Sequence, residues 1–248
     1  MRILLFVVAG VVALLAVARG AWEISSSRTF QLFGESVSRV ETMDSVVALT
    51  FDDGPTAAVT DTLLAMLRAE DVRATFFFTG AEMTEHPELA PRYLAAGHEL
   101  GNHTYSHRRM LLRSPAFIRR EIEDTDSLIR AAGQRGPVLF RPPYGKKLVG
   151  LPWYLSRTGR TSVMWDVEPD SDPEVAASAD RIVAHVERSV RPGSIVLLHV
   201  MYPSRREVLA SVPGIIDALR GRGYGFVTVS ELICRGGPCP TITQEDPE

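Results

Sequence analysis

The sequence predicts an α/β fold, a parallel sheet covered by helices, and three observations carry that expectation. Short β-rich apolar runs alternate with helical patterns along most of the chain, the order that gives parallel strands joined by crossover helices. About seven such β-units fall within about 190 residues, which suits an open doubly wound sheet or a barrel of fewer than eight strands. The chain has 248 residues, 45% hydrophobic and 23% charged, enough for one domain with a full core or two small ones. No GxGxxG and no GxxxxGK[ST] appears, so the glycine-rich loop of a nucleotide-binding sheet is missing.

The N-terminus departs from this pattern. Residues 3–18 read ILLFVVAGVVALLAVA without a charge. Sixteen helical residues rise about 24 Å, short of a hydrocarbon core of roughly 30 Å. Ala16-Val17-Ala18 fits a small-x-small cleavage site, while only Arg2 supplies positive charge before the apolar run. Residues 1–20 are therefore read as an export segment, either a cleaved signal peptide or a retained membrane anchor. A polar lead-in follows over 21–45.

Strands are expected at 46–51 (VVALTF), 74–79, 97–100, 138–140, 161–165, 194–199 and 225–229. Helices are expected at 58–70, 87–96, 116–132, 175–190 and 207–221. In the third, Phe117, Ile118, Ile122, Leu128 and Ile129 make an apolar stripe, and Gly133 stops it. Near the end, Cys234 and Cys239 stand in CRGGPC. In an exported chain a small disulfide is expected, with two free thiols as the alternative. Residues 240–248 read as an acidic tail. No internal repeat is present.

A formal net charge of −3, from 27 basic and 30 acidic residues, gives nothing that attracts nucleic acid. The informative charges sit at strand ends. Asp52 and Asp53 close the first strand, His103 and His107 follow the third, Arg141-Pro142-Pro143-Tyr144-Gly145 follows the fourth, Asp166 and Glu168 follow the fifth, and His199 ends the sixth. Active groups gather at such ends in barrels of alternating strand and helix. Each signal has a plainer reading: an aspartate pair can cap a turn, RPPYG can be a rigid corner, and a histidine can be a satisfied core residue. Five of the first six strand ends carry such groups, and together they outweigh those readings.

Two histidines four apart are expected to share one face of a helical turn and reach one ion. One carboxylate and two imidazoles leave a position open on zinc or a similar ion. An ion so held makes water a nucleophile near neutral pH. The second carboxylate can take that water's proton, and a histidine across the cleft can protonate a leaving group. Backbone N–H groups in the proline-stiffened loop can hold an oxyanion. The same ligand set also suits non-haem iron, but the β/α alternation and the second, free carboxylate argue against oxygenase chemistry.

TFDDGP, HTYSH, RPPYG and LLH, in this order on residues 46–233, resemble the polysaccharide deacetylases, the NodB-homology group of carbohydrate esterase family 4. The resemblance implies a distorted, incomplete (β/α) barrel in a single catalytic domain. It implies removal of acetyl groups from sugars, most often N-acetylglucosamine units of peptidoglycan or chitin-type polymers. It also implies one divalent ion, zinc by expectation, with cobalt, nickel or manganese as alternatives. On the matching positions, Asp53, His103 and His107 hold the metal, Asp52 is the base and Arg141 orients it. The Tyr144 N–H helps bind the oxyanion, Leu198 lines the acetyl pocket, His199 is the acid, and Thr104 steadies its loop.

One motif departs. The family's Asp-x-x-Asp-Trp pattern after the fifth strand is here Glu168-Pro169-Asp170-Ser171-Asp172. Glu168 is left to supply the acid that tunes His199, and Trp153 or Trp165 to supply an aromatic wall. The expected partner is an acetylated polysaccharide met by a monomer at the cell envelope or outside it, with membrane contact where the N-terminal segment is kept. The alternatives are an O-acetyl esterase of the xylan type on the same site and a glycan-binding protein without turnover.

Overall fold

The computed structural model describes residues 1–240; the acidic tail from 241 onward lies outside the described residues. The chain opens with α1 (Arg2–Ser26). It runs eight residues past the apolar stretch and into the polar lead-in, giving a length of about 38 Å. Its most apolar 18-residue window has a mean hydropathy of 2.5 and is 0% buried, so it is long and apolar enough to cross a membrane.

Strand and helix then alternate. In order they are β1 (Ser36–Val37), β2 (Val46–Asp52), α2 (Ala57–Ala69), β3 (Thr75–Phe78), α3 (Gly80–Glu85), α4 (Ala90–Ala95), β4 (Glu99–Asn102) and α5 (Pro115–Ala132). There follow α6 (Gly150–Arg157), β5 (Ser162–Val163), α7 (Ala179–Ser189), β6 (Ile195–Leu198), α8 (Arg206–Gly221), β7 (Gly225–Phe226) and α9 (Val229–Gly236). The strands run parallel in the order β4-β3-β2-β6, with β7 beside the start of β2 and β1 beside β5. Single-residue bridges extend the sheet: Phe140 joins Asn102 to Ser162, and Val167 pairs with Val196. The sheet thus curls from β6 through β4 to β5 and back, a barrel whose far side is held by isolated bridges.

That far side is where expectation and structure part. The strand expected at 138–140 contracts to the bridge at Phe140. Pro137, Pro142 and Pro143 surround it, and proline has no N–H to give a ladder. The expected strand at 161–165 keeps only two residues as β5, and the one at 97–100 moves to Glu99–Asn102. Three helices go unannounced by periodicity: α3 is a single capped turn or so, α6 carries Gly150 and Pro152, and α9 is set by a capping box between Thr228 and Glu231. The helix expected at 116–132 forms almost as read. Ser114 caps it, Pro115 opens it, and Gly133 ends it at φ 115°. Cys234 and Cys239 are joined by a disulfide.

Side-chain alternation divides the barrel. Val47, Leu49 and Phe51 of β2 face the helices, with Phe76, Phe78, Val196 and Leu198, in the main core. Ala48 packs inside the barrel with Phe77, Ile195 and Leu197. Both faces of β2, β3, β4 and β6 are buried, which is why β2, β3 and β6 read as apolar runs. The inward set leads, two residues at a time, to the chemistry: Ala48, Thr50 and Asp52 on β2, and Ile195, Leu197 and His199 along β6.

Candidate active site

Asp52 is the last residue of β2 and is 2% exposed. An unpaired carboxylate could not remain charged there. Its partner is Arg141, wholly buried, whose Nη1 donates to Asp52 Oδ1 at 2.6 Å and to Thr50 Oγ1 at 2.8 Å. The same guanidinium donates to the Val163 and Met164 carbonyls, both at 3.2 Å, and lies 4.0 Å over the Phe77 ring. Every edge of the fork is used, which fixes the carboxylate in one orientation. Burial pushes Asp52 up, but Arg141, then His103 and His199, hold it below the ordinary carboxylate range.

Beside it, Asp53 takes φ 71° and Gly54 φ 78°, so the chain turns sharply out of the strand. Glu82, at the start of α3, holds this turn by accepting the Gly54 N–H at 2.6 Å and the Thr79 hydroxyl at 2.8 Å. The segment 103–107 is not the expected helical turn. It is a loop in which Thr104 (φ 67°) and His107 (φ 52°) are left-handed. It packs so closely on α3 that a Cβ on Gly80 would lie 2.4 Å from the Tyr105 ring. The Thr104 N–H donates to Asn102 Oδ1 at 2.8 Å, and its carbonyl accepts from Gly80. The rings still meet, with centroids of His103 and His107 4.9 Å apart. Non-glycine residues held at positive φ cost energy and gather at sites where the surroundings over-determine them.

The His103 Nδ1–H donates to the Arg141 carbonyl at 2.8 Å, so Nε2 carries the free lone pair. Burial holds His103 below the ordinary imidazole range and keeps that nitrogen a ligand. Its Nε2 lies 4.0 Å from Asp53 Oδ1, and His107 Nε2 lies 3.4 Å from the same oxygen. Ligands at about 2.0–2.1 Å in a tetrahedron stand about 3.3 Å apart. Asp53, His103 and His107 therefore fit one divalent ion with little movement.

Across the cleft, His199 follows β6. The carboxylate that holds it is Asp170, not Glu168 as the sequence pattern led us to expect. Asp170 Oδ2 accepts from His199 Nδ1 at 3.0 Å and from its backbone N–H at 2.9 Å. Burial pulls His199 down, but the Asp170 bond and charge prevail and raise it to about 9. Glu168 is drawn off: its Oε2 accepts from Arg28 at 2.5 Å and from Trp165 Nε1 at 2.8 Å. A 3₁₀ turn, Pro169–Ser171, aims the shorter side chain inward instead.

Leu198 also differs from its expected place. It faces the helix-side core, and Leu197 lines the cleft, because Leu197 shares a strand face with His199. Parity along the strand was the signal that could have identified it. Trp165, not Trp153, is the cleft's tryptophan. Tyr144 sits at φ 59° in the turn after Pro142, 55% exposed, its ring 4.9 Å from that of His107. The cleft encloses about 480 Å³ and is lined by Asp52, Asp53, His103, His107 and His199 together.

Residues 39–163 match the family model described as polysaccharide deacetylase. A peptidoglycan-N-acetylglucosamine deacetylase of Bacillus cereus is 34% identical over 190 residues, 77% of this chain and 89% of its own. The chain belongs to the polysaccharide deacetylase family. A chitooligosaccharide deacetylase of a Bradyrhizobium strain is 35% identical over 198 residues, 75% of this chain and 90% of its own. The crystal structure of a peptidoglycan N-acetylglucosamine deacetylase superposes with a TM-score of 0.75 at 29% identity, covering 79% of this chain and 92% of that one. The deacetylase fold, a (β/α) barrel with an irregular side, accounts for the curled sheet. It is the fold of a hydrolase acting on acetylated sugars, and the Asp53-His103-His107 cluster is a candidate metal site in it.

Proposed function

We propose that this chain removes N-acetyl groups from sugars of an envelope or extracellular glycan of the peptidoglycan or chitin type, with a divalent ion, zinc by preference, on Asp53, His103 and His107. The observation that carries the reading is the division of labour between adjacent aspartates. Asp53 Oδ1 lies 3.4 Å from His107 and 4.0 Å from His103, while Asp52 gives Oδ1 to Arg141 and leaves Oδ2 in the cleft, 3.6 Å from His103 Nε2. When bound, the ion supplies Lewis acidity to the acetyl carbonyl and to a water beside it.

The protein supplies the rest. Asp52, ionised and held by Arg141, takes the proton from the attacking water through Oδ2. The backbone N–H of Tyr144 stabilises the charge developing on the carbonyl oxygen. Leu197 and Met164 give the acetyl methyl group an apolar wall. His199, kept cationic by Asp170, gives its proton to the departing amine nitrogen, so acetate and a free amino sugar leave. Export follows in the same reading, with α1 as the segment that carries the enzyme to the envelope.

Acetate release by the full chain in detergent micelles tests this. Chitooligosaccharide and peptidoglycan should yield acetate that stops with EDTA and returns with zinc or cobalt. Glycan binding with no acetate from any acetylated sugar, in protein that holds metal, would overturn it.

A further inference from the structure

One wall of the cleft comes from outside the barrel. Ser26, the last residue of α1, and Arg28 line the same cavity as Asp52 and His199. That end of the helix is fastened, not merely near. The Lys147 N–H donates to the Ser25 carbonyl at 3.0 Å, and the buried Lys147 ammonium donates to the Ser27 carbonyl. The Lys146 ammonium donates to the Ser26 hydroxyl and lies 3.7 Å over the Trp22 ring. Cations at the last carbonyls of a helix also suit its dipole. Arg28 completes the wall, paired with Glu168 and stacked 4.7 Å over Trp165.

The cations on this side are unequally paired. Arg28 is spoken for by Glu168. Lys146 and Arg205 line the cleft, and neither has a carboxylate within ion-pair distance among the described residues. Arg109 adds a third cation at the rim, 4.9 Å over the Tyr144 ring. A neutral N-acetylated polymer offers these groups only hydroxyl and amide oxygens. A phosphate or carboxylate does, through charge-assisted hydrogen bonds.

We propose that the cleft takes an acetylated amino sugar that carries its own anion, which Lys146 and Arg205 receive against the wall made by the end of α1. The inference rests on the deacetylase reading and narrows its substrate. The anion has two possible sources. Eight residues, about 12 Å of helix, separate the end of the apolar run from Ser26, so a sugar phosphate on a lipid carrier is within reach of the cleft, as is a free or wall-bound anionic sugar.

The experiment compares kcat/KM of the full chain in micelles for N-acetylglucosamine, N-acetylglucosamine 1-phosphate and N-acetylmuramic acid. At least one anionic sugar should exceed the neutral one about tenfold, and the ratio should fall as salt rises. Substituting Lys146→Gln with Arg205→Gln should bring the ratio below about threefold, with metal content holding. Equal rates for neutral and anionic sugars, or a ratio untouched by salt in the native chain, would overturn the proposal. Acetate from none of the three, neutral included, would contradict the deacetylase reading and this inference with it. The same phosphosugar on a polyprenyl carrier in vesicles then assigns the source: a rate above that of the soluble sugar points to the lipid-carried form, an equal rate to the free or wall-bound one.

Discussion

The two sides of the cleft are built differently. The side made by β2, β3 and β4 stands on regular parallel pairing, and its reactive groups leave the strand ends within five residues of one another in sequence: Asp52 with Asp53, His103 with His107. The other side still has β6 laddered to β2, but its β5 and Val167 are tied into the barrel by isolated bridges. Its pieces come from distant places: His199 from β6, Asp170 from a 3₁₀ turn, Arg28 from beyond the N-terminal helix. Where ladder hydrogen bonds set the backbone, a short motif states which side chain goes where. Where turns set it, a motif names the residue types and leaves the partner open.

This difference decides what could be read in advance. The alternation of strand and helix, the ends of β2, β3 and β6, and the run and stop of α5 followed from local pattern; the grouping of Asp53, His103 and His107 came from the family motifs, since the helical turn expected of the two histidines is a loop. Glu168 was expected on His199 because it occupies the motif's acid position; the turn at Pro169 instead presents Asp170, and Arg28, 140 residues away, takes Glu168. Such a pairing has no local signature. Leu198 was expected in the pocket although strand parity favours Leu197. The strand at 138–140 failed because its neighbours are prolines.

The contrast can be pressed experimentally, starting with the regular side. His103→Ala should lose the metal and reduce acetate release on the order of 10³-fold or more; metal content and rate check both. Full activity in a metal-free variant would break the assignment. Removing Arg141 as Arg141→Met should cost about 3–5 kcal/mol in urea unfolding, since Asp52 would be left buried without the partner that compensates its charge.

On the irregular side, Asp170→Asn should reduce kcat/KM on the order of 10²-fold. It should also move the basic limb of the pH profile to lower pH. His199 must be protonated to act, its folded value is raised to about 9, and without Asp170 the proton is lost sooner as pH rises. Glu168→Gln should change the rate less than about tenfold and leave the limb where it is. If the two variants exchange these outcomes, Glu168 is the tuning acid after all. The smallest contrast lies within β6. Leu198→Ala should lower stability by about 2–5 kcal/mol with KM held, and Leu197→Ala should chiefly raise KM.

The central claim is that neighbouring aspartates divide the work, Asp53 on the ion and Asp52 on the proton. Its most direct test is acetate release by Asp52→Asn protein carrying one zinc ion per chain, beside the native chain loaded equally. The amide keeps the shape and cannot take a proton, so the account predicts a retained ion and loss of turnover. An Asp52→Asn enzyme as active as the native one would contradict it.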